Sequence, residues 1–150
     1  MPADVVATSV APLLTAVVAR TTTWEQFPAL WPELLDEVYG VVRNRPELSP
    51  AAGPGSKWQN VMLYKDAAPN VEVGVLVGAA FETVGDVVPS RLPGGEVLTT
   101  MHRGDYAGLG DAHAAVHRFA VANGLDLAGP RWEIYGHGGE DKTKIFWLVR

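Results

Sequence analysis

Glu72, Glu133, Tyr64 and Tyr135 are the side chains of this sequence best suited to act on a small molecule. A carboxylate can activate water and a neighbouring phenol can give up a proton, which together make general acid–base chemistry. The same groups can simply bind, because tyrosine offers a broad apolar face with a polar tip. Other chemistries are poorly supplied. There is no cysteine, hence no thiol nucleophile, no disulfide and no thiolate metal site. No GxSxG elbow is present, and Ser9, Ser49, Ser56 and Ser90 fall near the N-terminus or in loops. His113 and His117 form an i, i+4 pair, but Ala114 stands where a zinc-protease helix needs glutamate and no third ligand is evident. The GHGG run, Gly136 to Gly139, lacks the strand-to-helix context of a phosphate loop. Neither a metal nor a cofactor is expected.

These residues recur in a duplicated pattern. Val61 to Val77 and Trp132 to Val149 each hold an apolar run ending in tyrosine, a polar turn, and a second run ending in Leu-Val. Tyr64 matches Tyr135, Glu72 matches Lys144, and Gly74 matches Phe146. Each copy follows a strand pattern and an amphipathic helix. The first strand is Leu13 to Arg20, rich in β-branched residues. Thr23 to Gln26 fits a capping box, and Phe27, Leu30, Trp31, Leu34 and Val38 then share one helical face. Pro28 and Pro32 interrupt that face, so the regular helix is expected from about Leu30. Residues 45–55 read as a loop and 82–95 as a connection between halves. The second copy opens with Glu96 to Arg103, continues with a helix from Tyr106 to Asn123 stopped at Gly124, and closes with two strands.

The expected fold is therefore α+β, with two β-α-β-β units forming one antiparallel sheet, two helices on one face and a cleft between the halves. The chain of 150 residues reads as one domain, with half 1 at about 10–80 and half 2 at about 96–150. The net charge is −5 and the basic residues are scattered, so direct nucleic-acid binding is not expected. No run is long and apolar enough for a membrane span, and the N-terminus lacks a basic signal segment, so a cytoplasmic location is expected.

The stretch from His102 to Val149 resembles the second half of a GyrI-like domain, the effector-binding domain of AraC-type and MerR-type multidrug regulators. The residues that carry the likeness are His102, Arg103, Gly104, Tyr106, Asn123, Gly124, Gly129, Pro130, Tyr135, Thr143 and Ile145. The first half matches in layout only. The resemblance implies a pocket for a small hydrophobic or aromatic molecule. It also implies that the family's pocket glutamate, between Thr143 and Ile145, is replaced here by Lys144, which should repel cations. With only about a dozen residues ahead of the first strand, the chain is expected to act without its own DNA-binding segment.

Strand alternation and the family likeness together put Glu72, Gly74, Leu76, Lys144, Phe146 and Leu148 on the cleft face. Glu72 and Lys144 would then be an ion pair or separate polar handles, unless both are solvated charges. Gly74 would make room for a flat ligand or mark a bulge. Trp24, Tyr106 and Trp132 join Tyr64, Tyr135 and Phe146 as aromatic candidates, each with core packing as the alternative. Two other readings stay open. One is a hydrolase of electrophilic or strained-ring molecules, with Glu72 or Glu133 as base and Tyr135 or Tyr64 as acid. The other is a protein-interaction inhibitor like the family's gyrase inhibitors, with a protein partner.

Overall fold

The computed structural model describes residues 4–50, 58–136 and 142–150. Most of the GHGG segment, the far end of the 45–55 loop and the side chain of Tyr106 lie outside the described residues. In chain order the elements are β1 (Val6–Val10), β2 (Leu13–Thr21), α1 (Phe27–Val42), β3 (Asn60–Tyr64), β4 (Asn70–Leu76), β5 (Val88–Leu92), β6 (Gly95–Arg103), α2 (Leu109–Ala122), β7 (Leu127–Tyr135) and β8 (Lys142–Val149). One-turn 3-10 helices sit at Pro46–Leu48 and Tyr106–Gly108. The eight strands form one antiparallel sheet ordered β1-β6-β8-β7-β3-β4-β2-β5.

The order is that of two equivalent halves meeting where β3 pairs with β7. Each copy holds one strand more than its sequence pattern indicates. β1 and β5 lead the two copies, and each is exchanged onto the other copy's first strand: Val6 pairs with Thr99 of β6, and Val88 pairs with Val17 of β2. Pro89 inside β5 is tolerated because β5 is an edge strand, where one row of backbone N–H groups needs no partner. That proline is what makes residues 82–95 read as a mere connection.

The exchange forces the sheet to curl. Two residues join β1 to β2, so Val10 and Leu13 are at most roughly 11 Å apart. A flat sheet would hold those strands six spacings apart, roughly 29 Å. The chain therefore bends both edges round to meet, and the two short connections touch. A Cβ on Gly94 would lie 2.5 Å from Cδ of Pro12. The inner face of the curl is filled by Val61, Leu63, Leu92, Val97, Trp132 and Phe146.

The outer face carries the helices. α1 lies against β2 and β4, burying Phe27, Leu34, Val38 and Val42 against Ala16, Val18, Val71, Val73 and Val75. α2 lies against β6 and β8, burying Ala112, Val116 and Ala120 against Leu98 and Ile145. The oxygen Oγ1 of Thr23 accepts the Gln26 N–H at 3.1 Å, but in a turn ahead of the helix; the N-cap is Gln26, with no side-chain cap bond, so Thr23 does not cap α1 as the sequence pattern indicates. The helix nevertheless begins at Phe27 rather than Leu30. Pro28 sits in the first turn, where a missing N–H costs nothing, and Pro32 lies on the exposed side of the helix. At the other end, α2 closes as Leu125 N–H bonds Ala120 O at 2.9 Å across Gly124.

Candidate functional site

The two helices cover the wings of the sheet and leave the outer face of its middle strands open. A cavity of 240 Å³ occupies this gap. Its floor is Asn60, Met62 and Tyr64 from β3 with Glu133 and Tyr135 from β7. One wall is Phe27, Pro28, Trp31 and Leu35 of α1, and Leu109 at the start of α2 faces it. Period-2 alternation explains the floor: every second residue of each strand points outward, and β3 and β7 pair so that Met62 lies opposite Glu133. These two residues are also each other's counterparts in the duplication. The pseudo-two-fold axis thus passes between them, with Tyr64 and Tyr135 related across it.

Glu133 is buried, with 4% of its surface exposed. Tyr64 donates to its Oε1 at 3.0 Å, and Tyr135 donates to the same oxygen. His113 of α2 holds Oε2 at 2.7 Å through Nε2. The other ring nitrogen, Nδ1, accepts the indole N–H of Trp147 at 2.9 Å. An indole N–H can only donate, so Nδ1 acts here as the acceptor and Nε2 faces Glu133. Burial opposes ionisation of this carboxyl, but the hydrogen bonds from His113 and Tyr135, the electrostatic pull of His113 and the bond from Tyr64 outweigh it and hold its pKa below the usual value. Burial, and then the charge of Glu133, push both phenols well above the ordinary tyrosine value. The floor of the cavity thus holds a buried, ionised carboxylate with both oxygens hydrogen-bonded.

Beside it lies a more open depression of 290 Å³, which shares Tyr64 and Glu133 with the cavity and adds Trp24, His113, Arg131 and Trp147. Trp24, half exposed, donates its N–H to Ala67 O at 3.2 Å and packs on Tyr64 with ring centroids 5.3 Å apart.

Several residues anticipated in the cleft lie elsewhere. Glu72, Gly74, Trp132, Lys144 and Phe146 belong to the inner face of the curled sheet, opposite the helices. This cavity shares the helix-bearing face and not the face that alternation assigned to the cleft, because the helices sit on the wings and not over the middle. Glu72 bonds Lys65 at 2.6 Å and accepts from Ser90 at 2.6 Å, and it does not meet Lys144. Lys144 is exposed, its ammonium 5.4 Å from the Phe146 ring centroid. It lines neither concavity. Gly74 marks close approach, but of protein backbone: a Cβ there would lie 1.8 Å from Ala16 O of the adjacent strand. The register of β2 with β4 runs through it without a bulge. Trp132 stacks on Phe146 with centroids 5.5 Å apart. His113 has both nitrogens engaged and is not a metal ligand, while His117 is exposed and packs edge-on against Trp147. Glu133, Tyr64 and Tyr135 do come together. Phe27 and Trp31, read from sequence as core, are also cavity wall. The signal for Arg131 was available, since it alternates in phase with Glu133 and Tyr135 and out of phase with Trp132.

A curled antiparallel sheet with two flanking helices and a carboxylate-floored cavity on the axis of duplication defines a class of pseudo-symmetric α+β domain. The fold is that of a GyrI-like domain. No family model matches the sequence, and no curated protein sequence matches it. Solved structures do. The chain is similar to the C-terminal domain of EcmrR at TM-score 0.77 and 19% identity, covering 100% of this chain and 99% of that one. It spans 58% of the EcmrR chain in that protein's complex with DNA, at TM-score 0.74 and 18% identity. It is similar to SAV2435 bound to tetraphenylphosphonium at TM-score 0.68 and 12% identity, covering 98% and 94% of the two chains. It is similar to a hydrolase from Listeria innocua at TM-score 0.62 and 14% identity, covering 97% and 91%. At these identities the likeness is one of fold. Among the described residues no helix is long and apolar enough to cross a membrane.

Proposed function

We propose that this protein binds a hydrophobic organic cation of aromatic character in the cavity between α1 and α2. The observation that carries the reading is Glu133: a buried carboxylate on the floor of a cavity whose walls are aromatic and aliphatic. A carboxylate in a poorly solvated cavity attracts a ligand of opposite sign strongly. The aromatic and aliphatic walls suit the body of such a ligand, and the rings of Tyr64 and Trp31 can face its charge. The tetraphenylphosphonium bound by the similarly folded SAV2435 is a ligand of this class. Lys144 offers no obstacle to a cation, because it lies on the other face of the sheet.

Turnover is less well supported than binding. A carboxylate held below its usual pKa is a weak base, and phenols pushed above theirs are weak acids. Both oxygens of Glu133 are already hydrogen-bonded.

Calorimetric titration with tetraphenylphosphonium tests the reading. Glu133→Gln should weaken binding at least about tenfold, the scale of one lost charge-assisted contact. Lys144→Glu should leave it within about twofold, since it is remote from the cavity. Equal affinity of the native protein and Glu133→Gln, or a strong gain in Lys144→Glu, would overturn it.

A further inference from the structure

Arg131 and Glu133 sit two residues apart on the same face of β7 and line the same depression, yet they form no direct ion pair: Glu133 and Asp66 act on Arg131 only through space. The oxygens of Glu133 are taken by Tyr64, Tyr135 and His113. The guanidinium of Arg131 is held instead among three rings, with its carbon 5.4 Å from the centroid of Trp24, 5.8 Å from Tyr64 and 5.0 Å from Trp147. Rings attract and position a guanidinium without using up its N–H groups. Among the described residues its one hydrogen-bond partner is Gly129 O, at 3.4 Å. No carboxylate of the described residues lies within ion-pairing distance of it. The result is a half-buried cation with its donors open, fixed beside the buried Glu133 carboxylate.

We propose that Arg131 is a second, anion-recognising pole of this site, and that the ligand is an aromatic zwitterion carrying a carboxylate. This rests on the cation reading above: the ligand's positive nitrogen faces Glu133, and its carboxylate takes the open fork of Arg131. Residues i and i+2 of a strand are roughly 7 Å apart, so the ligand's two charges are separated by about one benzene ring. Such a ligand completes both buried charges at once, which a simple cation cannot do.

The experiment compares 4-(aminomethyl)benzoate with its methyl ester, which keeps the cation and lacks the anion. Both are titrated into native protein, Arg131→Gln, Arg131→Lys and Glu133→Gln, with thermal midpoints confirming that each variant is folded. The native protein should prefer the zwitterion about tenfold, as a charged bidentate contact allows. Arg131→Gln should erase that preference, with ester affinity held or raised because a neighbouring cation is gone, while Arg131→Lys keeps part of it because the charge stays and the fork is lost. Glu133→Gln should weaken both probes. An unchanged zwitterion-to-ester ratio in Arg131→Gln overturns the proposal. A native protein that binds tetraphenylphosphonium but shows no preference for the zwitterion sinks this proposal alone. A native protein that binds no cation sinks the parent reading as well.

Discussion

The chemistry of Glu133 is decided by the donors that surround it. His113, Tyr135 and Tyr64 stabilise its anion, so ionisation and folding are linked. Its folded pKa lies below the usual value of 4.5, with burial opposing and the His113 and tyrosine bonds prevailing. The group therefore contributes stability that is present above the usual carboxylate pKa and lost as pH falls through the folded value. Replacement by glutamine turns an amide N–H toward groups that are themselves donors, costing about 1–3 kcal/mol for the bonds left unmade. Thermal denaturation from neutral to acid pH should show Glu133→Gln less stable than the native protein near neutrality, with the gap closing below about pH 4.5. Affinity for a permanent cation should follow the same course, flat near neutral pH and falling in acid. A gap that persists unchanged in strong acid would assign the loss to packing rather than to charge.

Among the elements, the pairing of β2 with β4 depends on Gly74. A Cβ at this position would lie inside the contact distance of Ala16 O and near Val17 Cα, and both are backbone atoms that cannot rotate aside. Gly74→Ala should cost more than about 3 kcal/mol by urea denaturation, in the range of severe overpacking. Gly40 is the control. It lies within α1, and nothing comes within 4 Å of a Cβ there. Gly40→Ala should gain about 0.5–1 kcal/mol, the usual cost of glycine inside a helix. Similar effects from the two substitutions would mean that strand approach at Gly74 is looser than described. The helix boundaries follow a simpler logic. Proline was read in the sequence as a late start for α1, yet both prolines fit because one falls in the first turn and the other lies on the exposed side of the helix.

For the molecule as a whole, the exchange of β1 and β5 ties the halves together. Each copy lends its leading strand to the other, and the inner core draws on both, from Val61 and Leu63 of one copy to Leu92, Val97 and Phe146 of the other. The halves should therefore unfold as one unit. Native-state hydrogen exchange can check this. Gly74→Ala should reduce protection of amides on β8 by the same free energy as on β2. Retained protection on β8 beside an opened β2 would show two separable halves.

The duplication, the helices, the six strands of the β-α-β-β copies and the face carrying each apolar residue were legible from the sequence, because they rest on local periodicity. Tyr64 and Tyr135 stood out because they recur at one place in each copy. Alternation alone also separates Trp132 from Tyr135, and it puts Arg131 with Glu133. Which face of the sheet holds the cavity was not legible. Alternation divides residues into two sets but is symmetric between them, so Glu72 and Lys144 looked as eligible as Glu133. Only the tertiary structure decides, since the curl closes one face into a core while the helices, set apart on the wings, leave the middle of the other open. The same holds for the charge of Glu133. It depends on donors from β3, β7 and α2 and on the indole of β8, groups distant in sequence that meet only when the two halves pair across β3 and β7.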